Sequence, residues 1–183
     1  MEKDQKRNTH SEILFRDNLH AVGKIDFVKG KKPDVDCILC AIRENDPRVT
    51  SLLLYQDENF FVCLNLYPYN PGHLMIIPAK HVERFEDLTQ RERTLLFEAT
   101  IQLKKLIRKK MSPTGFNVGY NEGQYSGASI QHVHIHVVPR YRNELGFIDI
   151  ISQTKIIIQN SSKVLGLLKP EINKYIKKIY AKK

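Results

Sequence analysis

The chain has 183 residues, 42% hydrophobic and 27% charged, with only 9 Gly and 8 Pro. That length supports one substantial core, and the composition excludes a disordered, collagen-like or low-complexity chain. Lys and Arg number 29 against 20 Asp and Glu, a net charge of +9, which favours an anionic partner such as a nucleotide, nucleic acid or phosphate.

In chain order, residues 1–36 read as a polar N-terminal extension with a short helix near Ser11–Leu19. No apolar segment follows the charged Met1–Arg7 stretch, so no secretory leader is expected and the expected compartment is the cytoplasm. Apolar runs such as Leu52–Leu54 and Ile156–Ile158 are far too short to span a membrane. Cys37 and Cys40 form a C-x-x-C pair, open to structural metal binding, redox chemistry or simple burial. Cys63 lies in an apolar run and is read as core.

Strands are expected over Leu52–Tyr55, Phe60–Leu66 and His73–Pro78, with a Pro- and Gly-punctuated turn at 67–72. Thr89–Lys110 is the clearest helix. Leu95, Leu96, Ala99, Leu103, Leu106 and Ile107 recur at spacings of three and four, and Thr89 with Glu92 forms a capping-box pattern. Cations crowd its last turns, as the helix dipole favours. Further strands are expected over Phe116–Tyr120 and Ile130–Pro139, separated by a Gly-containing loop at 121–128. An apolar stretch runs from Phe147 to Ile158. Leu167, Leu168, Ile172, Tyr175, Ile176 and Ile179 then mark a C-terminal amphipathic helix whose lysines read as a solvated face. Hairpins around one long helix indicate an α+β fold.

The informative segment is Gln131-His132-Val133-His134-Ile135-His136-Val137-Val138. On a strand, His132, His134 and His136 share one face while Val133, Ile135 and Val137 share the other. On a helix the imidazoles would diverge by about 200° per pair. Histidine near neutral pH serves as nucleophile, acid, base or ligand, so a row of three points to chemistry. Gly127 and Ser129 in the preceding loop supply close backbone approach and a hydroxyl for phosphate oxygens. No Walker-type phosphate loop is present.

His132–His136 with Val137-Val138 resembles the signature of the histidine triad (HIT) superfamily of nucleotide hydrolases and transferases. The resemblance extends from Cys37 to about Lys155. Within that superfamily, Gly127-Ala128-Ser129-Ile130, Val137-Val138-Pro139-Arg140 and the Thr154-Lys155 region are similar to the diadenosine tetraphosphate phosphorylase (ATP adenylyltransferase) branch. Tyr141 stands where that branch tends to carry Trp. The resemblance implies a HIT-like antiparallel sheet of about five strands with one long helix. It divides the chain into an N-terminal extension (1–36), the HIT domain (37–158) and a basic C-terminal helix or tail (159–183).

It further implies that His134 is a nucleophile forming a nucleotidyl-imidazole intermediate, with His136 and Ser129 assisting at phosphate oxygens. Asn121 and Gly127 would join the phosphate site, Asn65 would bind the ribose, and Leu64 and Leu66 would wall the base pocket. Structural zinc would sit on Cys37, Cys40, His81 and His132, with no catalytic metal required. The implied substrate is an adenine nucleotide of the dinucleoside polyphosphate type, and the implied assembly is a homodimer. The alternative reading is a zinc-stabilised nucleic-acid-binding protein without turnover, driven by the net charge.

Overall fold

The computed structural model describes residues 33–142 and 161–181. The expected helix near Ser11–Leu19, the apolar stretch Phe147–Ile158 and the Thr154-Lys155 motif lie outside those residues.

Five strands, β1 (Leu53–Gln56), β2 (Phe60–Leu64), β3 (Leu74–Pro78), β4 (Gly115–Gly119) and β5 (Ile135–Arg140), form one sheet in the order β1-β2-β3-β5-β4. All four neighbouring pairs are antiparallel. Among the described residues three α-helices accompany it: α1 (Ile38–Arg43), α2 (Gln90–Met111) and α3 (Ser161–Tyr180). The expected α+β architecture is the one observed.

Strand alternation divides the buried residues into two cores. Phe60, Val62, Leu64, Leu74, Ile76, Ile135 and Val137 face α2 and α3. Phe61, Cys63, Met75 and Ile77 face the other way, covered by Leu39, Ala41 and Ile42 of α1 and by Val49. Cys63 is fully buried, as expected of a core thiol. The short α1 went unread in the sequence.

Local chemistry explains the connections. In the β1–β2 turn the Asp57 carboxylate accepts from the amides of Asn59 (2.8 Å) and Phe60 (2.9 Å), replacing ladder bonds the turn cannot make. In the β2–β3 turn the buried Asn70 donates to the Pro139 carbonyl at 2.7 Å. Gly72 sits there at φ +81, and a Cβ on it would stand 2.9 Å from the Met111 sulfur. Only glycine fits both constraints.

Helix α2 starts at the capping box read from the sequence. The Glu92 amide donates to Thr89 Oγ1 at 3.2 Å, and the Thr89 amide donates to the Glu92 carboxylate at 2.7 Å. Helix α3 buries Val164, Leu168, Ile172, Tyr175, Ile176 and Ile179 in the same core as α2. Leu167, expected in its apolar stripe, is exposed instead. Tyr180 at the far end of α3 donates to the Asp57 carboxylate at 2.6 Å, alongside Tyr55 at 2.6 Å. No helix among the described residues is long and apolar enough to cross a membrane.

Candidate active site and metal centre

The histidine segment departs from the single strand row expected of it. The ladder with β3 begins only at Ile135, opposite Ile76, and His136 lies opposite Met75. Residues 130–134 precede the strand. They are held instead by carbonyls at and beyond the end of β3: the Val133 amide donates to Val82 O at 2.8 Å, and His132 Nε2 lies 3.1 Å from Pro78 O. Val133, Ile135 and Val137 do face the helix-side core. The three imidazoles divide into two functional groups.

His134 and His136 form the first, with ring centroids 4.6 Å apart and planes at 73°. His134 Nδ1 lies 2.7 Å from the carbonyl oxygen of His132. A carbonyl only accepts, so Nδ1 carries the proton and Nε2 keeps its lone pair. Burial holds the His134 pKa below the ordinary imidazole value, with the hydrogen bond to the His132 carbonyl opposing.

His136 is oriented by His73, which is 1% exposed. The Tyr69 amide donates to His73 Nδ1 at 3.1 Å, which places the His73 proton on Nε2. His73 Nε2 then donates to His136 Nδ1 at 3.0 Å, leaving the His136 proton on Nε2. The sequence reading did not single out His73 as functional. Its one signal was a histidine opening a strand directly after a Pro-Gly turn.

Asn65 lies just beyond β2 on the sheet face of His136. Its amide group approaches the Met75 sulfur (3.7 Å) and its Oδ1 accepts from the Tyr67 amide (2.9 Å). Leu64 does not join it. Alternation sends Leu64 to the helix-side core, opposite Leu74, and it is 4% exposed. Leu66 lies past the strand end and is 43% exposed. The apolar residues nearest His136 and Asn65 on that face are Met75, paired with His136, and Cys63 and Leu53 in the neighbouring strands.

Asn121 and Gly127 approach each other in the loop before the histidines. Gly127 has φ +86, and its Cβ position lies 4.0 Å from Asn121 Nδ2. Ser129 is on the rim of a groove of about 470 Å³ that it shares with Val35, Cys37, Ile38 and His81.

The second group is a candidate metal centre. His132 Nδ1 is 3.5 Å from the sulfurs of both Cys37 and Cys40, and His81 Nδ1 is 3.4 Å from Cys40 Sγ. All four donor atoms lie within 4.8 Å of one another. A tetrahedral ion bound at about 2.3 Å to sulfur and about 2.0 Å to nitrogen sets S···N separations near 3.5 Å, so the cluster has the dimensions of such a site. Burial, then His81, pushes the His132 pKa down to about 4. The ring is therefore neutral at pH 7, the form that ligates. Its Nε2–H donates to Pro78 O and aims Nδ1 at the cysteines. Burial and the adjacent Cys37 push the Cys40 thiol up to about 12, a shift that a bound cation opposes by stabilising the thiolate. The four expected ligands converge.

A family model described as the HIT domain matches residues 46–143. The chain belongs to the HIT family. It is 43% identical over 109 residues to an AP-4-A phosphorylase of Mycobacterium tuberculosis, a match spanning 59% of this chain and 56% of that protein. It is also 33% identical over 103 residues to the asymmetrical bis(5'-nucleosyl)-tetraphosphatase of Schizosaccharomyces pombe, spanning 56% of this chain and 57% of that protein. The chain thus matches little more than half the length of either relative. Among solved structures, a Zn-bound histidine triad family protein from Mycobacterium smegmatis superposes with a TM-score of 0.64 at 23% identity. That alignment covers 78% of this chain and 97% of the other. A HIT family member from Bacillus subtilis superposes with a TM-score of 0.55 at 27% identity, over 81% of this chain and 97% of the other. Cys37, Cys40, α1 and α3 all fall outside the matched HIT segment.

Proposed function

We propose that this HIT protein cleaves dinucleoside polyphosphates of the diadenosine tetraphosphate type through a nucleotidyl intermediate on His134. The observation that carries the reading is the His134 Nδ1–H bond to the His132 carbonyl, which leaves Nε2 bare beside His136. In the first step Nε2 attacks the α-phosphorus. A P–N bond forms, the P–O bond to the rest of the polyphosphate breaks, and that oxygen departs with its electron pair. Covalent catalysis splits one difficult displacement into two. His136, with its proton directed to Nε2 by His73, donates to a phosphate oxygen. Asn121, Gly127 and Ser129 add loop donors where charge develops. In the second step water or inorganic phosphate attacks phosphorus and His134 is released.

Asn65 fits the ribose hydroxyls, because it lies on the sheet face of His136. The base then rests against Met75 and Leu53 rather than Leu64. The ion at the four-ligand centre is read as zinc, since two thiolates and two imidazoles suit it. Cys37, Cys40, His81 and His132 hold it. It supplies no reaction step and fixes His132, whose carbonyl orients the nucleophile.

Product analysis of diadenosine tetraphosphate tests the reading. ATP with ADP, formed only when phosphate is added, identifies a phosphorylase; ATP with AMP, formed in water, identifies an asymmetrical hydrolase. Two ADP molecules from one substrate, or no turnover, would overturn the α-phosphorus attack.

A further inference from the structure

The net charge is not spread evenly over the molecule. Residues 33–103, which contain α1, the β1–β3 part of the sheet and most of α2, hold six Lys and Arg against eleven Asp and Glu. The last turns of α2, residues 104–110, hold five cations and no acid, and α3 holds five lysines and the single acid Glu171. These two helical segments pack against each other. Lys110 pairs with Glu171 at 2.7 Å, and Lys109 and Lys174 both act on that carboxylate as well, holding its pKa low together with Lys110. The basic residues of the two helices therefore converge on one shared face, with one acid among them already paired.

Lys105 and Lys109 of α2 and Lys174, Lys177 and Lys178 of α3 are all exposed there. The apolar face of α3 is spent in the core, so the surface has charge but no stripe of apolar side chains to insert into a lipid layer. Nor is it the face of the histidines. The helices cover the side of the sheet marked by Leu64, Leu74 and Val137, whereas His136 lies among Met75 and Asn65 on the other.

We infer that the α2–α3 face is a docking surface for the phosphate backbone of duplex nucleic acid, separate from the histidine site. The 20 residues of α3 extend about 30 Å at 1.5 Å per residue, the length of about nine base pairs of B-form DNA. Exposed lysines recur along that length. The Tyr175 ring beneath Lys178 is buried and Tyr180 is engaged with Asp57, so the exposed groups along the helix are chiefly ammonium groups, which fits backbone contact rather than base stacking or base reading. Binding is therefore sequence-independent and held by counterion release. Nucleic-acid binding and nucleotide turnover then occupy opposite faces of the sheet and do not compete as descriptions of the protein.

Fluorescence anisotropy of a labelled DNA duplex, titrated with the full chain at several salt concentrations, tests this. The expected result is saturable binding whose affinity falls steeply with salt, with a log–log slope of about −0.9 for each phosphate neutralised. Replacing Lys105, Lys109, Lys174 and Lys178 by Glu should weaken binding by at least roughly tenfold and flatten that slope. Diadenosine tetraphosphate turnover should stay unchanged. If the charge reversals impair folding, the four Lys→Gln changes serve in their place, with the melting temperature as the check. Arg91→Glu, near the opposite end of α2, should leave binding intact. Unchanged binding after the lysine replacements, no saturable binding, or stronger association with phosphatidylserine vesicles than with the duplex would each overturn the assignment.

Discussion

At the scale of single residues, the chemistry rests on which ring nitrogen carries a proton. His134→Ala removes the proposed nucleophile and should lower kcat by several orders of magnitude while nucleotide affinity changes little. A nucleotide labelled at the α-phosphate should transfer an acid-labile label to His134. Label recovered on another residue would displace His134 from its role. His73 acts one step back, through His136. His73→Gln keeps a buried polar group but can no longer relay the Tyr69 amide through a ring to His136 Nδ1. A kcat loss of about tenfold to a hundredfold is expected with KM nearly constant, along with a shift in the pH–rate profile. A purely structural role for His73 would instead appear as a lower melting temperature with an unaltered pH profile.

The same proton accounting gives a pH dependence of stability for metal-free protein. The folded His132 titrates near 4 rather than the usual 6.5, so the unfolded chain binds the proton that the folded chain refuses. Stability is therefore full above about pH 6.5 and falls as the pH drops towards 4, by up to about 3 kcal/mol. Denaturant melts of chelator-treated protein across that range measure it. Metal-loaded protein should be more stable at neutral pH, because binding free energy adds to folding free energy. Replacing Cys37 and Cys40 by Ser should release about one ion per chain, read by elemental analysis of protein purified without added metal. A clearly substoichiometric ion content, with both thiols freely titratable in native protein, would remove the centre.

At the scale of elements, patterns set by local chemistry were legible and those set by partner geometry were not. The α2 boundaries followed from the Thr89–Glu92 box and the 3.6-residue period, and the observed helix starts one residue after the cap. Thr89→Ala should cost about 1 kcal/mol in a thermal or denaturant melt. The β5 start was misjudged because alternation in 131–137 reads as strand throughout. The ladder with β3 stops at Ile76–Ile135; continued in the same register it would set Val133 opposite Pro78, which offers no amide to pair. Hydrogen bonds to Pro78 O and Val82 O hold His132 and Val133 instead, and this is what places His132 in the candidate metal centre. Leu64 was assigned to the base pocket because it adjoins Asn65. Strand parity separates neighbours onto opposite faces, and the face it occupies is fixed by pairing with Leu74. Leu167 fits the helical period of α3, yet it lies one position beyond the stripe that meets α2 and β1. Pro170 within α3 discourages a continuous helix from sequence, but six buried side chains outweigh its lost hydrogen bond.

At the scale of the whole molecule, the exposed apolar surface is where the expected homodimer would form. Phe97 and Ile101, one turn apart on α2, are 55% and 45% exposed, and Val118 and Tyr120 at and just beyond the end of β4 are 41% and 46% exposed. Phe85 joins the two groups, edge-on to Phe97 at 6.2 Å and stacked on Tyr120 at 4.7 Å. The belt therefore runs from the helix to a terminal strand of the sheet, whose outer edge has no strand partner among the described residues. Unpaired edges and contiguous apolar surface are costly in a monomer. A two-fold copy placed edge to edge on β4 would extend the sheet across both subunits and bring the two Phe97–Ile101 turns together. A stable interface of that kind buries about 1,600 Å² in total. Light scattering at micromolar concentration should give twice the 21.3 kDa chain mass. Phe97→Glu with Ile101→Glu should shift it to the monomer, because four carboxylates would face one another across the two-fold axis. A monomeric wild-type chain, or a dimer untouched by those two changes, would move the interface elsewhere.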